Sequence, residues 1–310
     1  MSDRLGVLLM TYGSPADDLH DLPDYLAAVR AGRQPSDELV AEFRRRYEAI
    51  GGSPLITITR AQAAAVQAQL RADGIDAVAT VGMRFSAPTV ADGLRELAER
   101  GCGRVEAIIM SPQYSEMLMA GYRRALDAGI DDLADAAGAV ELAPAWYREP
   151  GFIGALADRL TAALDDLPSG APVLLTAHSL PRRVADAEPG YLEQLRETAE
   201  LVGAAAGLGL ERWHFCWQSA GHEPGEWMKP DFTDLLPQLR REGHDAVLVA
   251  PIQFLADHLE ILYDVDIAAR RQAEAAGLRF RRIELLNVDP QFIGALATIV
   301  RRSTAMTTAI

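Results

Sequence analysis

The chain has 310 residues, with 30 Lys plus Arg against 44 Asp plus Glu, a formal charge of −14 and 49% hydrophobic residues. That charge speaks against a nucleic-acid binder, which needs a basic surface to neutralise phosphates, and against general attraction to anionic lipid. The longest stretch free of Asp, Glu, Lys and Arg, 167–181, carries prolines, a glycine and His178 and reads as no membrane span.

In chain order, the opening MSDRLGVLLMTYG holds a short apolar run and no small-residue cleavage pattern, so no signal peptide and a cytoplasmic location are expected. Leu5–Met10 reads as a buried strand. A helix is predicted over 36–50: Ser36 caps it, Asp37 and Glu38 sit in its first turn, Arg44, Arg45 and Arg46 are placed in its last, and Gly51-Gly52 stops it. Thr59 is expected to cap the next helix, which ends near Gly74. Ala77–Val81, Val105–Met110, Val140–Leu142, Val173–Thr176, Trp213–Trp217, Ala246–Ala250 and Phe280–Leu285 complete a series of apolar runs without polar alternation, separated by amphipathic stretches. This order predicts an α/β fold of two Rossmann-like lobes, each a four-stranded parallel sheet flanked by helices. The lobes are expected at 1–145 and 146–286, with a C-terminal helix over 287–310 packing back on the first.

An internal echo supports two lobes. Leu8-Leu9-Met10-Thr11-Tyr12-Gly13-Ser14-Pro15 lays over Leu174-Leu175-Thr176-Ala177-His178-Ser179-Leu180-Pro181, setting Tyr12 on His178, and Ile109-Met110-Ser111-Pro112 lies beside Val249-Ala250-Pro251. Ligands of open α/β sheets bind beyond the carboxyl ends of strands. Two such lobes facing each other would place Tyr12 and His178 on opposite walls of a cleft.

Three features carry chemistry. His178 closes a buried-type strand and opens a loop, where functional residues concentrate. The remaining histidines read otherwise: His20, His222 and His244 as solvated, His214 as part of a strand, and His258 as a core-facing helical residue. Second, Asp257, Glu260 and Asp264 are spaced three and four apart in a segment expected to leave a strand and enter a helix, which would line three carboxylates on one face. Such a line suits a divalent cation, and His178 with Glu260 offers either mixed nitrogen and oxygen ligation or a base with its charge partner. Third, Arg30, Arg33, Arg44, Arg45 and Arg46 form a local basic cluster that fits a polyanionic ligand. Walker A, GxGxxG, HExxH and GxSxG motifs are absent.

Met10-Thr11-Tyr12-Gly13-Ser14-Pro15, Arg46-Tyr47-Glu48-Ala49-Ile50-Gly51-Gly52-Ser53-Pro54-Leu55, Pro112-Gln113-Tyr114-Ser115, Ala177-His178-Ser179-Leu180-Pro181, Trp217-Gln218-Ser219 and Phe254-Leu255-Ala256-Asp257-His258-Leu259-Glu260 occur in this order along nearly the whole chain. Together they resemble the ferrochelatases, and the Tyr-Gly after the first strand is similar to the soluble, coproporphyrin III-using type of Gram-positive bacteria. The resemblance implies a chelatase-like fold, a lyase of heme biosynthesis and Fe2+ and porphyrin as substrates. It implies His178 and Glu260 as catalytic and metal-facing residues, Tyr12 as an axial ligand to product iron, and Asp264 on the metal's entry path. Tyr12, Arg30, Arg46, Tyr47, Ser53, Tyr122 and Trp227 match porphyrin-contacting positions.

Some positions depart from the family pattern. Ala31 stands where a second arginine is common, Ala268 where an outer carboxylate extends the acidic path, and Phe85 where some relatives have histidine; the turn before Ser53 is one residue short. The two cysteines, Cys102 and Cys216, cannot hold the 2Fe–2S cluster of many relatives, so no cluster and no required cofactor are expected. A monomer is expected, without nucleic-acid partner or transmembrane segment. The alternatives are a protoporphyrin IX ferrochelatase, a cobalt or nickel tetrapyrrole chelatase, and a cytoplasmic tetrapyrrole carrier.

Overall fold

A computed structural model describes residues 4–221 and 225–308. The chain forms two compact units. The first is built from the chain up to Pro112, Glu116–Trp146 and the chain from Asn287; the second from Gln113–Ser115 and Tyr147–Leu286.

The first unit holds β1 (Leu5–Thr11), α1 (Leu22–Val29), α2 (Asp37–Ile50), α3 (Leu55–Ala72), β2 (Ala77–Met83), α4 (Val90–Glu99), β3 (Arg104–Ile109), α5 (Glu116–Leu133) and β4 (Ala139–Leu142). The second holds α6 (Pro150–Leu164), β5 (Val173–His178), α7 (Arg182–Ala187), α8 (Pro189–Ala205), β6 (Trp213–Gln218), α9 (Phe232–Arg241), β7 (Ala246–Pro251), a π-helix (Glu260–Ala269), α10 (Arg270–Ala275) and β8 (Arg279–Arg282). The last helix, α11 (Pro290–Thr308), belongs to the first unit and packs along α3.

All strand pairings are parallel, in the order β2-β1-β3-β4 in one sheet and β6-β5-β7-β8 in the other. The two orders are the same permutation, and the strands of the internal echo, β1 with β5 and β3 with β7, occupy equivalent places. Central strands β1 and β7 are buried along their whole length, whereas β4 alternates between exposed and half-buried positions as an edge strand does. In both sheets the chain reverses its winding between the second and third strands, and there the carboxyl ends open a crevice suited to ligands.

Local structure follows the side chains. Ser36 caps α2 by accepting from the Leu39 N–H at 3.3 Å, and Gly51 ends it in the left-handed region at φ 74°. Arg44, Arg45 and Arg46 lie before the last turn of α2 and not in it: a helix that ends at Ile50, as expected, has residues 47–50 as its last turn, which holds no basic residue. Helix α3 begins at Leu55, not at Thr59. Thr59 is buried inside it and satisfies its hydroxyl on the Leu55 carbonyl at 2.8 Å, so its side chain is spent within the helix rather than on a cap. Strand β8 stops at Arg282 rather than Leu285, its pairing with β7 running only from Arg279 to Arg282.

Candidate active site

In the second unit the site grows from the β5/β7 switch point. His178 is the last residue of β5, and its backbone N–H donates to Gln253 Oε1, just beyond β7, at 2.8 Å. The Gln253 amide in turn donates to the Tyr191 hydroxyl on α8 at 2.5 Å. The His178 Nδ1 lies 2.5 Å from the Ser179 carbonyl oxygen. A carbonyl only accepts, so Nδ1 carries a proton and Nε2 is the nitrogen left to gain or release the other.

That Nε2 faces Glu260, the first residue of the π-helix, at 3.7 Å from Oε1. From the other side, His258 Nε2 lies 3.7 Å from Glu260 Oε2, and His258 Nδ1 is 2.8 Å from the Ala256 carbonyl, which again assigns its proton to Nδ1. One carboxylate therefore sits between two imidazoles that present the same nitrogen to it. All three side chains are partly shielded, at 31% exposure for His178, 36% for Glu260 and 18% for His258. Burial raises the Glu260 carboxyl, but the two imidazoles, in their protonated form, outweigh it and hold the group well below the ordinary carboxylate range. Burial likewise lowers the His258 imidazole, and the Glu260 carboxylate outweighs it, leaving His258 raised.

Two expectations are corrected here. Asp257, Glu260 and Asp264 do not share one helix. The helix opens after Leu259, so Asp257 lies in the preceding loop, with its carboxylate 3.5 Å from Arg282, while Glu260 and Asp264 remain about a turn apart on the π-helix. His258 is no core-facing helical residue. Its Nδ1 bond to a carbonyl two residues back belongs to a loop conformation and turns Nε2 toward Glu260. The sequence did hold a signal for it: a histidine two residues before the candidate carboxylate. Trp227 lies on a segment strung beside the loop after His178, where Met228 N–H donates to the Leu180 carbonyl at 2.9 Å and Arg182 N–H to the Glu226 carbonyl at 2.7 Å.

In the first unit, Tyr12 follows β1 and is exposed. The register that pairs Thr11 with Met83 sets the residues after β2 beside it, with Arg84 N–H bonded to the Thr11 carbonyl and Phe85 N–H to the Tyr12 carbonyl. The Tyr12 and Phe85 rings meet edge to face at 4.6 Å, and the Arg84 guanidinium stacks on Phe85 at 4.5 Å and on Tyr122 at 5.4 Å. Gly121 leaves the slot for that guanidinium: a Cβ there would fall 2.1 Å from Arg84 Nη2. Burial pushes the Tyr122 phenol far above its ordinary range, against the pull of Arg84. Arg84 and Gly121 carried no motif signal in the sequence, because the sheet register brings Arg84 beside Tyr12 and the packing of α5 brings Gly121 to Arg84.

The basic cluster is partly committed within the protein. Arg46 pairs with Glu42 at 2.8 Å and stacks on Phe43 at 5.4 Å, Arg45 also pairs with Glu42, Arg44 donates to the Leu19 carbonyl at 3.2 Å, and Arg33 donates to the Arg30 carbonyl at 3.2 Å. Arg30 caps α1, Tyr47 is buried on α2, and Ser53 accepts from Leu55 N–H at 3.4 Å.

The fold is shared with chelatases of known structure. SirB from Bacillus subtilis with Fe3+ matches 99% of this chain and 98% of its own at TM-score 0.61 and 12% identity. CbiX, the terminal enzyme for biosynthesis of siroheme in denitrifying bacteria, matches 96% and 98% at TM-score 0.54 and 16% identity. The Ferrochelatase family model matches residues 4–304. The ferrochelatase of Deinococcus radiodurans is 40% identical over 97% of this chain and 96% of its own, and the coproporphyrin III ferrochelatase of Bacillus subtilis 33% identical over 96% and 97%. The chain belongs to the ferrochelatase family. It is a lyase, a metal chelatase that inserts iron into a porphyrin in heme biosynthesis. Among the described residues no helix is long and apolar enough to cross a membrane.

Proposed function

We propose that this chain inserts Fe2+ into coproporphyrin III, with His178 as the base that takes the pyrrole protons and Glu260 as its charge partner and metal-facing carboxylate. The observation that carries this reading is the Glu260 carboxylate between two imidazole Nε2 atoms, each 3.7 Å away. Insertion releases two pyrrole protons. The His178 Nε2 lone pair accepts a proton, Glu260 Oε1 stabilises the imidazolium and passes the proton toward solvent, and the base is restored for the second. A positioned base of this kind contributes about 10²–10⁴-fold. His258 on Oε2 keeps the carboxylate ionised, so Fe2+ meets an imidazole and a carboxylate, a donor set that suits it. Asp264, next along the π-helix, lies on the entry path.

Tyr12 serves as axial ligand to product iron, and Arg30, Arg46, Tyr47, Ser53, Tyr122 and Trp227 contact the porphyrin. The basic cluster and the Tyr12-Gly13 pair support coproporphyrin III, the substrate with more carboxylates, as do relatives named for it at 33–36% identity. The reading also holds that the enzyme acts as a cytoplasmic monomer without an iron–sulfur cluster, since a cluster of the family's kind takes four cysteines and the chain has two. Anaerobic initial rates with Fe2+ and either coproporphyrin III or protoporphyrin IX test it. A higher kcat/KM for coproporphyrin III is expected. A preference for protoporphyrin IX overturns the substrate, and stoichiometric binding without an iron-dependent product points to a carrier.

A further inference from the structure

Arg282 ends β8, and its guanidinium reaches both flanks of the segment that carries His258 and Glu260. On the downstream flank Nε and Nη2 donate to the two oxygens of Asp266 at 2.7 and 2.8 Å, a fork on the π-helix. On the upstream flank the same Nη2 lies 3.5 Å from Asp257 Oδ1, in the loop before that helix. Nη1 donates to the Ile283 carbonyl at 2.7 Å, and the Ile283 N–H is bonded to the Val249 carbonyl of β7 at 3.0 Å. The anchor of this staple is therefore the sheet. The Arg282 side chain is 13% exposed, so its ion pairs are little screened by water.

The tie bears on Glu260 because a π-helix is a rare, widened arrangement that does not persist on backbone preference alone. A slip of one residue turns each side chain by about 100° in an α-helix, and by somewhat less in a wider π-helix. Such a slip would take Glu260 away from both imidazoles. A second tie secures the downstream end: Arg270 Nε donates to the Asp266 carbonyl at 3.0 Å, and its guanidinium stacks on Phe280 of β8 at 4.9 Å. Arg282 spans both ends, and a planar fork with separately aimed nitrogens is what two carboxylates and a carbonyl require.

We infer that Arg282, through Asp266 and Asp257, is a positioning residue that holds the π-helix in the register aiming Glu260 between His178 and His258. The inference rests on the role given above to Glu260. Arg282 itself makes no contact with His178, His258 or Glu260 among the described residues and acts through the segment it clamps.

The test measures anaerobic Fe2+ insertion into coproporphyrin III by the wild type, Asp266→Asn, Arg282→Gln, the double variant and Glu260→Gln, with thermal midpoints for each. Asp266→Asn and Arg282→Gln are expected to lose about 10–100-fold in kcat, the scale of a small misplacement of a reacting group. Their KM for porphyrin should stay within about threefold, and the double variant should be no slower than the slower single one, as residues acting as one unit behave. Should Arg282→Gln not fold, Asp266→Asn decides alone, since it leaves the Arg282 bonds to Ile283 and Asp257 in place. Folded variants with wild-type kcat, or losses confined to porphyrin KM, overturn the positioning role if Glu260→Gln is slow. If Glu260→Gln itself turns over normally, the role of Glu260 has failed, and the inference falls with it.

Discussion

His178 Nε2 stands 3.7 Å from Glu260 Oε1, while the Nδ1 of the same ring is tied to the Ser179 carbonyl. The backbone bond sets the tautomer, and the tautomer sets which nitrogen is basic. From this pair comes the first prediction. His178→Ala should cut the initial rate of iron insertion by about 10²–10⁴-fold, the contribution of a positioned base. Porphyrin binding, followed by fluorescence titration, should persist. Normal turnover in a folded variant would remove His178 from the reaction.

Glu260→Gln should slow insertion strongly and also shift a neighbour. His258 is held above its ordinary value by the Glu260 carboxylate against the effect of burial, so loss of the charge should lower its titration midpoint, as read by NMR of the histidine ring. The stability side has a defined window. A raised imidazole contributes fully below its ordinary value of 6.5 and loses that contribution as pH rises through its folded value; a depressed carboxyl contributes above 4.5 and loses it as pH falls through its folded value. Both contributions are complete between pH 4.5 and 6.5, where Glu260→Gln should lower the thermal midpoint most. A midpoint of His258 unchanged by the substitution would show that the carboxylate does not hold it.

Tyr12→Phe keeps the edge contact with Phe85, whose ring is 4.6 Å away, and removes only the hydroxyl. If Tyr12 serves the product rather than the proton transfer, insertion should stay within about threefold of wild type. The absorption spectrum of the ferric product complex should change, since its phenol ligand is gone. An unchanged spectrum argues against Tyr12 as axial ligand.

Glu106 on β3 is buried to 2% exposure, accepts from the Ser303 hydroxyl of α11 and lies near Glu141. Burial, reinforced by Glu141, pushes its carboxyl from 4.5 up to about 7. For a carboxyl raised on folding, stability is complete below 4.5 and falls as pH rises through about 7, by up to about 3 kcal/mol. Glu106→Gln should therefore raise the thermal midpoint at pH above about 8 and leave it unchanged below about 4.5. Calorimetry at the two extremes checks this, and equal effects at both would contradict a neutral buried carboxyl.

Much of the architecture was legible from order and periodicity. Fully buried parallel strands such as β1 and β7 read as plain apolar runs, Ser36 and Gly51 mark the ends of α2 by their own local chemistry, and the echo between Leu8–Pro15 and Leu174–Pro181 matches strands with the same place in two sheets of the same order. His178 and Glu260 stood out because strand ends and spaced carboxylates are local signals. Features that depend on partners distant in sequence were hidden. Asp257 looked like a member of a helical line but lies beside Arg282, across the unit. Thr59 is a local ambiguity instead: a threonine hydroxyl serves a cap or its own helix equally, and here it takes the Leu55 carbonyl four residues back. The widened turn that aims Glu260, the approach of His178 to it and the stacking of Arg84 on Tyr122 were decided by tertiary structure. Patterning along a chain sets which faces are apolar, whereas the orientation of a charged side chain is settled by whichever opposite charge, carbonyl or ring the fold brings within reach.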